Sequence, residues 1–331
     1  MKNRIAGQNE QVTFNKVKPR EKDPLPSWND GQTKQAIIEF IKKVTDPENA
    51  QYVPTENRIA VFDNDGTLWT EQPYYTQMAF LLDRVNDLAP QHPEWEEEQP
   101  YKSLLKRDLK NALSGGLKAI SEMIMATHAG MTTTEFDKLV IEWISKALHP
   151  RFGKLYSECV FLPMLEVLDY FKSNGFRNYI VSGGGIDFIR PWSKATYDIP
   201  PSQVIGSSIK TQYKIVDGQP ELWRLPEINF IDDKEGKPVG IFANIGQQPI
   251  AAFGNSDGDI QMLEWVTSRE PSLGMIIKHD DALREWSYTK EAMQGKLDQV
   301  LIMASEKKWI ITSMKNDWKT IFPFMDKSKI N

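Results

Sequence analysis

Asp63 and Asp65 stand two positions apart, directly after the apolar run Ile59-Ala60-Val61-Phe62 and directly before Gly66 and Thr67. A carboxylate pair at the end of a buried strand admits three chemistries. A calcium loop beginning D-x-D requires Gly at its sixth position and Glu at its twelfth, and Leu68 and Tyr74 occupy those places, so it is rejected. A plain solvated turn needs no partners. A nucleophile with an acid/base neighbour, held against a divalent metal, needs partners from elsewhere in the chain.

Those partners come at other strand ends. Ile59–Phe62 lacks polar alternation and stops at a glycine turn, the pattern of a strand buried on both faces. Tyr179-Ile180-Val181 is a second such run and ends in Ser182-Gly183-Gly184-Gly185. Pro249 to Phe253 is a third and ends in Gly254-Asn255-Ser256-Asp257-Gly258-Asp259. In a parallel sheet all three ends share one edge, where α/β proteins bind ligands. Asp63, Asp65 and an oxygen from the 255–259 loop suit Mg²⁺, a hard cation that takes oxygen ligands and keeps several waters. Ser182 and the amide of Gly183 can approach an anion, and Lys237, before Pro238 at the start of a helix, can neutralise a phosphate. Lys234, three residues earlier, is the alternative ammonium; Lys237 is preferred for its place at the helix start.

The elements that carry these ends alternate strand and helix, which predicts a Rossmann-like parallel sheet with helices on both faces. A first helix is expected over residues 31–44. Pro163 to Asn174 forms another, with Pro near its first turn and Gly175 past its end. A short strand near Val204-Ile205 precedes a separate hairpin over 211–225, turning at Asp217-Gly218. Between the first and second strands the composition changes: Val and Ile thin out, and Leu, Met, Ala, Glu and Lys dominate at helical spacing. This predicts an inserted all-helical cap of four or five helices over 70–159, one of them running from 136 to 148 with Thr133 or Thr134 capping its start. The α/β core takes 26–69 and 160–331, and 1–25 forms a flexible N-terminal arm.

Asp-Asn-Asp-Gly-Thr at 63–67, the strand-terminal Ser182, Lys237 and the Gly254-to-Asp259 loop resemble, in order and spacing, the four motifs of the haloacid dehalogenase superfamily. The helical insertion after the first motif is similar to the cap of the phosphoserine-phosphatase-like and phosphorylcholine-phosphatase-like branch. The resemblance implies Asp63 as nucleophile, Asp65 as acid and base, and Mg²⁺ bridging Asp63 and the phosphoryl group. Thr67 would orient Asp65 or a phosphate oxygen, while Ser182, Gly183 and Lys237 hold the phosphate. Many relatives carry Asp where this chain has Asn255. The third metal ligand is therefore Asn255 with Asp259 beside it, or else Asp257 or Asp259 directly or through water.

The expected activity is hydrolysis of a small phosphorylated metabolite by an Mg²⁺-dependent phosphomonoesterase passing through an aspartyl-phosphate. A phosphomutase or other phosphotransferase shares the motifs, and a catalytically weak metal-binding regulatory module is the rival from another class. Trp69, Glu71, Tyr74 and Tyr75 follow the first motif and could either pack the cap or meet a cationic leaving group such as choline. The net charge of -5, with no basic cluster, disfavours nucleic acid as a partner. No apolar run is long enough to span a bilayer, and the polar first thirty residues lack a signal-peptide core, so a cytoplasmic site is the default unless a leader was removed. The single cysteine, Cys159, reads as a small buried hydrophobe, and the four histidines as structural or surface groups. No oligomeric state follows from the sequence.

Overall fold

A seven-stranded sheet among the described residues organises the chain, in the order β4-β3-β2-β1-β5-β6-β7. The computed structural model describes residues 23–292 and 294–325. β1 (Ile59–Phe62) is central, and all four of its residues are buried. It pairs in parallel with β2 (Arg177–Gly185) on one side and β5 (Ala251–Gly254) on the other. The chain order thus reverses at β1, and the crevice beyond its carboxyl end is the ligand site of an open α/β sheet. Beyond β5 come β6 (Leu273–Lys278) and β7 (Ile310–Ser313), both parallel.

On the far side β3 (Val204–Val216) pairs in parallel with β2 through its first residues, then antiparallel with β4 (Gln219–Phe230). The short strand and the separate hairpin expected here are one continuous ribbon. Its turn is where the sequence placed it: Asp217 and Gly218 both have positive φ, the geometry of a two-residue hairpin loop. β4 makes the edge of the sheet antiparallel, and Pro220 and Pro226 fit an edge strand.

Helices cover both faces. α1 (Gln32–Thr45) turns Ile37, Phe40, Ile41 and Val44 inward at helical spacing. Between β1 and β2 run α2 (Thr76–Leu88), α3 (Tyr101–Leu105), α4 (Leu109–Ala112), α5 (Gly116–His128) and α6 (Thr133–Ile144), the expected helical block. α6 is capped by Thr132, one residue before the expected position, because Thr132 and Glu135 complete a reciprocal capping box. The block has a small core of its own, with Leu81, Val85, Trp95, Leu104 and Met123 in contact. It is not isolated: Gly130 N donates to Arg224 O at 3.0 Å and Arg224 N to Met131 O at 2.8 Å, zipping it to β4.

α7 (Leu162–Ser173) carries Pro163 in its first turn and ends before Gly175 at φ +82°. α8 (Ile186–Tyr197), α9 (Gly236–Ile245), α10 (Ile260–Val266) and α11 (Gln299–Lys307) complete the layers. Of the expected arm over 1–25, residues 1–22 lie outside the described residues. Leu25, at its end, is fully buried together with Trp28, so the core begins at or before Leu25. No described helix is long and apolar enough to cross a membrane.

Candidate active site

The three strand ends converge as the parallel register requires. Asp63 follows β1 and its amide donates to Phe253 O of β5 at 2.9 Å. Ser182 lies in β2 and Asn255 follows β5. Asp63, Asp65, Ser182, Gly183, Gly184 and Lys237 all line one cavity of about 320 Å³.

Lys237 is buried and its Nζ donates to Asp63 Oδ1 at 2.7 Å, Asp259 Oδ1 at 2.5 Å and Val181 O at 3.1 Å. Lys234, the alternative, is exposed. Burial opposes the charge on Lys237, but Asp259 and Asp63 outweigh it and hold the ammonium protonated above its usual range. Burial, with the charge of Asp259, pushes the Asp63 carboxyl well above the usual carboxylate range, and Lys237 only partly offsets this. Asp65 accepts from Trp69 Nε1 at 2.9 Å, and burial pushes its carboxyl up to about 6. Trp69 is itself buried, stacked on Trp192 with ring centroids 4.5 Å apart.

Asp259 has a different place from the one expected of a metal ligand. It is fully buried; Oδ1 takes Lys237, and Oδ2 accepts from the amides of Asn255 and Ser256 at 3.0 Å each. It fixes the loop and orients the lysine. Asp257 is committed as well, accepting from the amides of Asp298 and Val300 ahead of and within α11. Thr67, expected to face Asp65 or a phosphate, is fully buried and donates to Asn255 Oδ1 at 3.2 Å.

Glu71, expected to pack the cap or meet a cationic leaving group, lies against Asn255 instead. It is buried, lines the cavity, and its Oε1 accepts from Asn255 Nδ2 at 2.8 Å and from the Tyr288 hydroxyl at 2.5 Å. Burial raises its carboxyl well above the usual range, and the charges of Asp65, Asp63 and Glu285 push the same way. Where the loop residue is a neutral amide, a carboxylate therefore sits against it. Gly66 is what allows this approach: at φ +75°, a Cβ there would lie 2.0 Å from Asn255 Nδ2 and 2.6 Å from Glu71 Oε1. His279 supports the same turn from below, Nε2 against Gly66 O at 2.8 Å and Nδ1 against Glu285 at 2.9 Å, a structural role as expected. Tyr75 reaches the cavity with Glu71, whereas Tyr74 packs on the core and Trp69 braces Asp65.

The donor set fits a hard dication. Asp63, Asp65 and Glu71 bring three buried carboxyl groups to one cavity, and burial is the main reason their protonated forms are favoured. Among the described residues no three His, Cys, Asp or Glu side chains form a ready-made metal cluster. Mg²⁺ does not require one, since it binds through one or two carboxylates, waters and substrate phosphate.

Comparison with known proteins adds the following. The family model of the haloacid dehalogenase-like hydrolases matches residues 60–264. No curated protein matches the chain. Among solved structures, a conserved functionally unknown protein from Anaerococcus prevotii DSM 20548 is similar at TM-score 0.57 and 17% identity, over 91% of this chain and 98% of that one. A protein with unknown function from Bordetella pertussis Tohama I gives TM-score 0.47 and 15% identity, over 77% of this chain and 97% of its own. A phosphoserine phosphohydrolase-like protein from Francisella tularensis subsp. tularensis SCHU S4 gives TM-score 0.39 and 16% identity, over 67% and 88%. The first of these is a likeness of fold.

Proposed function

The chain belongs to the haloacid dehalogenase-like hydrolases, and from that premise we propose that it hydrolyses phosphate monoesters of small molecules, with Mg²⁺, through an aspartyl-phosphate on Asp63. The observation that carries this reading is the pairing of Asp63 with Lys237 at the mouth of β1, with Asp65 two residues on and Ser182 across the same cavity. A carboxylate nucleophile alone would serve several displacements. A second carboxylate placed beside it to move a proton points to an alcohol leaving group.

In the first step an Asp63 carboxylate oxygen bonds to phosphorus as the P–O ester bond breaks, and the departing alkoxide takes a proton from Asp65. In the second, Asp65 takes a proton from a water that attacks the phosphorus of the aspartyl-phosphate, freeing Asp63 and releasing inorganic phosphate. Lys237 holds Asp63 in place throughout and faces the transferring oxygens. Ser182 and the Gly183 amide supply preorganised donors on the opposite side. Trp69 keeps the Asp65 carboxyl oriented. Asp63 and Asp65, backed by Asn255 and Glu71, would hold Mg²⁺, which when bound offsets the repulsion between phosphate and nucleophile. The helical block over 70–159 would serve as the cap that shields this chemistry from water.

The test is release of inorganic phosphate from a panel of phosphomonoesters, with Mg²⁺ and with chelator. Phosphate release that requires Mg²⁺ is the expected result; its absence across the panel would favour a metal-binding module without turnover. Glu71 gives a sharper check. Glu71→Gln is expected to weaken Mg²⁺ binding by roughly 10- to 100-fold, read by calorimetry and by the Mg²⁺ concentration for half-maximal rate. Asn255→Asp alone crowds two carboxylates against each other, whereas the exchange Glu71→Gln with Asn255→Asp is expected to recover most of the affinity. Unchanged Mg²⁺ affinity in Glu71→Gln would remove Glu71 from the metal site.

A further inference from the structure

A second cavity of about 300 Å³ opens beside the carboxylate cavity, between α5, α8 and the β3–β4 hairpin. The two share Gln77, Ile120, Ile124, Gly183 and Ile231 as walls, so they are adjoining chambers. The far chamber continues over Phe188, Ile209, Ile228 and Phe230. Ile228 is 39% exposed and Ile231 47% exposed, an apolar rim left open to solvent.

Most polar side chains around this chamber are turned on the protein itself; Lys118 is exposed and lies 3.8 Å from Glu122. Arg224 is 3% exposed; its guanidinium pairs with Asp187, donates to His128 O at 2.6 Å and lies 4.0 Å above the Phe136 ring. His128 contacts Thr127 Oγ1 at 2.6 Å and Gln77 Nε2 at 3.3 Å, and burial lowers its pKa to about 3, leaving it neutral. Gln77 Oε1 accepts from Gly185 N at 2.7 Å. Ser207 donates to Gly183 O at 2.8 Å and Ser208 accepts from Asn229 Nδ2 at 3.0 Å. A polar alcohol lodged here would lose its water and find these donors and acceptors engaged, an unfavourable exchange. An apolar chain would gain contact with isoleucine and phenylalanine on several sides.

We propose that this chamber receives the leaving group, so that the preferred substrates are phosphate monoesters of alcohols bearing an aliphatic chain of several carbons. This rests on the phosphomonoesterase reading above and names its substrate class. Geometry supports it from both ends: the phosphate would sit at Asp63, and the shared wall of Gln77, Ile120 and Ile124 marks the passage by which a chain leaves that cavity. A compact cationic alcohol has no such use for it. Glu71, a carboxylate expected to meet a cation, already serves Asn255 and Tyr288 through Oε1.

The experiment has two arms. In the first, kcat/KM is measured for n-alkyl phosphates from ethyl to octyl, alongside phosphoserine, glycerol phosphate and phosphocholine. The expected result is a rise of roughly threefold per methylene until the chamber is filled, and a shallower slope in Ile228→Asp. In the second, binding of n-octylphosphonate and methylphosphonate, which cannot be hydrolysed, is compared by calorimetry on the wild-type protein. The longer chain is expected to bind tighter with a more negative heat-capacity change. Turnover with a flat alkyl series, or a preference for the polar alcohols, would overturn the chamber assignment and leave the phosphatase reading standing. Absence of turnover with tighter octylphosphonate binding would overturn the phosphatase reading and keep the chamber as a ligand site. Equal binding of the two phosphonates would overturn the chamber assignment whatever the turnover.

Discussion

Replacing Lys237 with methionine is expected to lower the stability of the protein by about 3–5 kcal/mol, the usual result of stripping one partner from a buried ion cluster, and to abolish turnover with it. The cause is local. Lys237 is the donor shared by Asp63 and Asp259, and Asp259 is fully buried. Without the ammonium, the carboxyl groups of Asp63 and Asp259 are left buried with no cation between them. Stability of this size is a large fraction of what a folded domain possesses, so the loss is readable as a shift in the midpoint of urea unfolding. The double variant Lys237→Met with Asp259→Asn separates electrostatics from packing. Asparagine keeps an acceptor oxygen for the Asn255 and Ser256 amides, which Asp259 Oδ2 serves at 3.0 Å each. Most of the lost stability is expected to return, while activity does not. If the double variant is no more stable than the single one, the cluster is not what the lysine stabilises.

Asp63→Asn is the complementary case: a large effect on rate with little on folding. The substitution removes one of two carboxylates competing for the same ammonium and leaves Lys237 its bonds to Asp259 and Val181 O. Burial and Asp259 already favour the protonated Asp63 carboxyl, so a neutral side chain of the same shape should be tolerated. The amide, however, is no nucleophile. Phosphate release is expected to fall by about 10⁴-fold or more, as when a covalent nucleophile is lost elsewhere, with the unfolding midpoint nearly unchanged. Retention of more than about one part in a hundred of the wild-type rate would assign the attack to another group, such as a water activated by Asp65.

The parts of the site that could be read in the sequence are those built from short range. Asp63 and Asp65 follow an apolar strand and precede a glycine, and strand, turn and carboxylates lie within eight residues. Lys237 could be separated from Lys234 because a helix begins beside it, and the structure buries the first and exposes the second. Ser182 and its glycines are likewise a strand end. Glu71 stands out in the sequence as a packing or leaving-group residue, but its place against Asn255 could not be read, because Tyr288 and Asn255 approach it from far along the chain. Asp257 and Asp259 stand two residues apart in one polar loop, but only the fold shows that one secures α11 and the other the lysine. The hairpin was understated for a related reason. Residues 206–210 lack the alternation of a half-buried strand, since the ribbon passes there from parallel pairing with β2 to antiparallel pairing with β4.

The zipper between residues 130–131 and Arg224 has a consequence for how the molecule moves. A helical block joined to its base only through the two chain crossings would be free to pivot as one piece. Here a third tether exists, made of two main-chain hydrogen bonds and anchored by an arginine whose guanidinium is held by Asp187, the His128 carbonyl and the Phe136 ring. Any wide swing must either tear that tether or carry the ribbon along, bending β3 at the point where it leaves the parallel sheet.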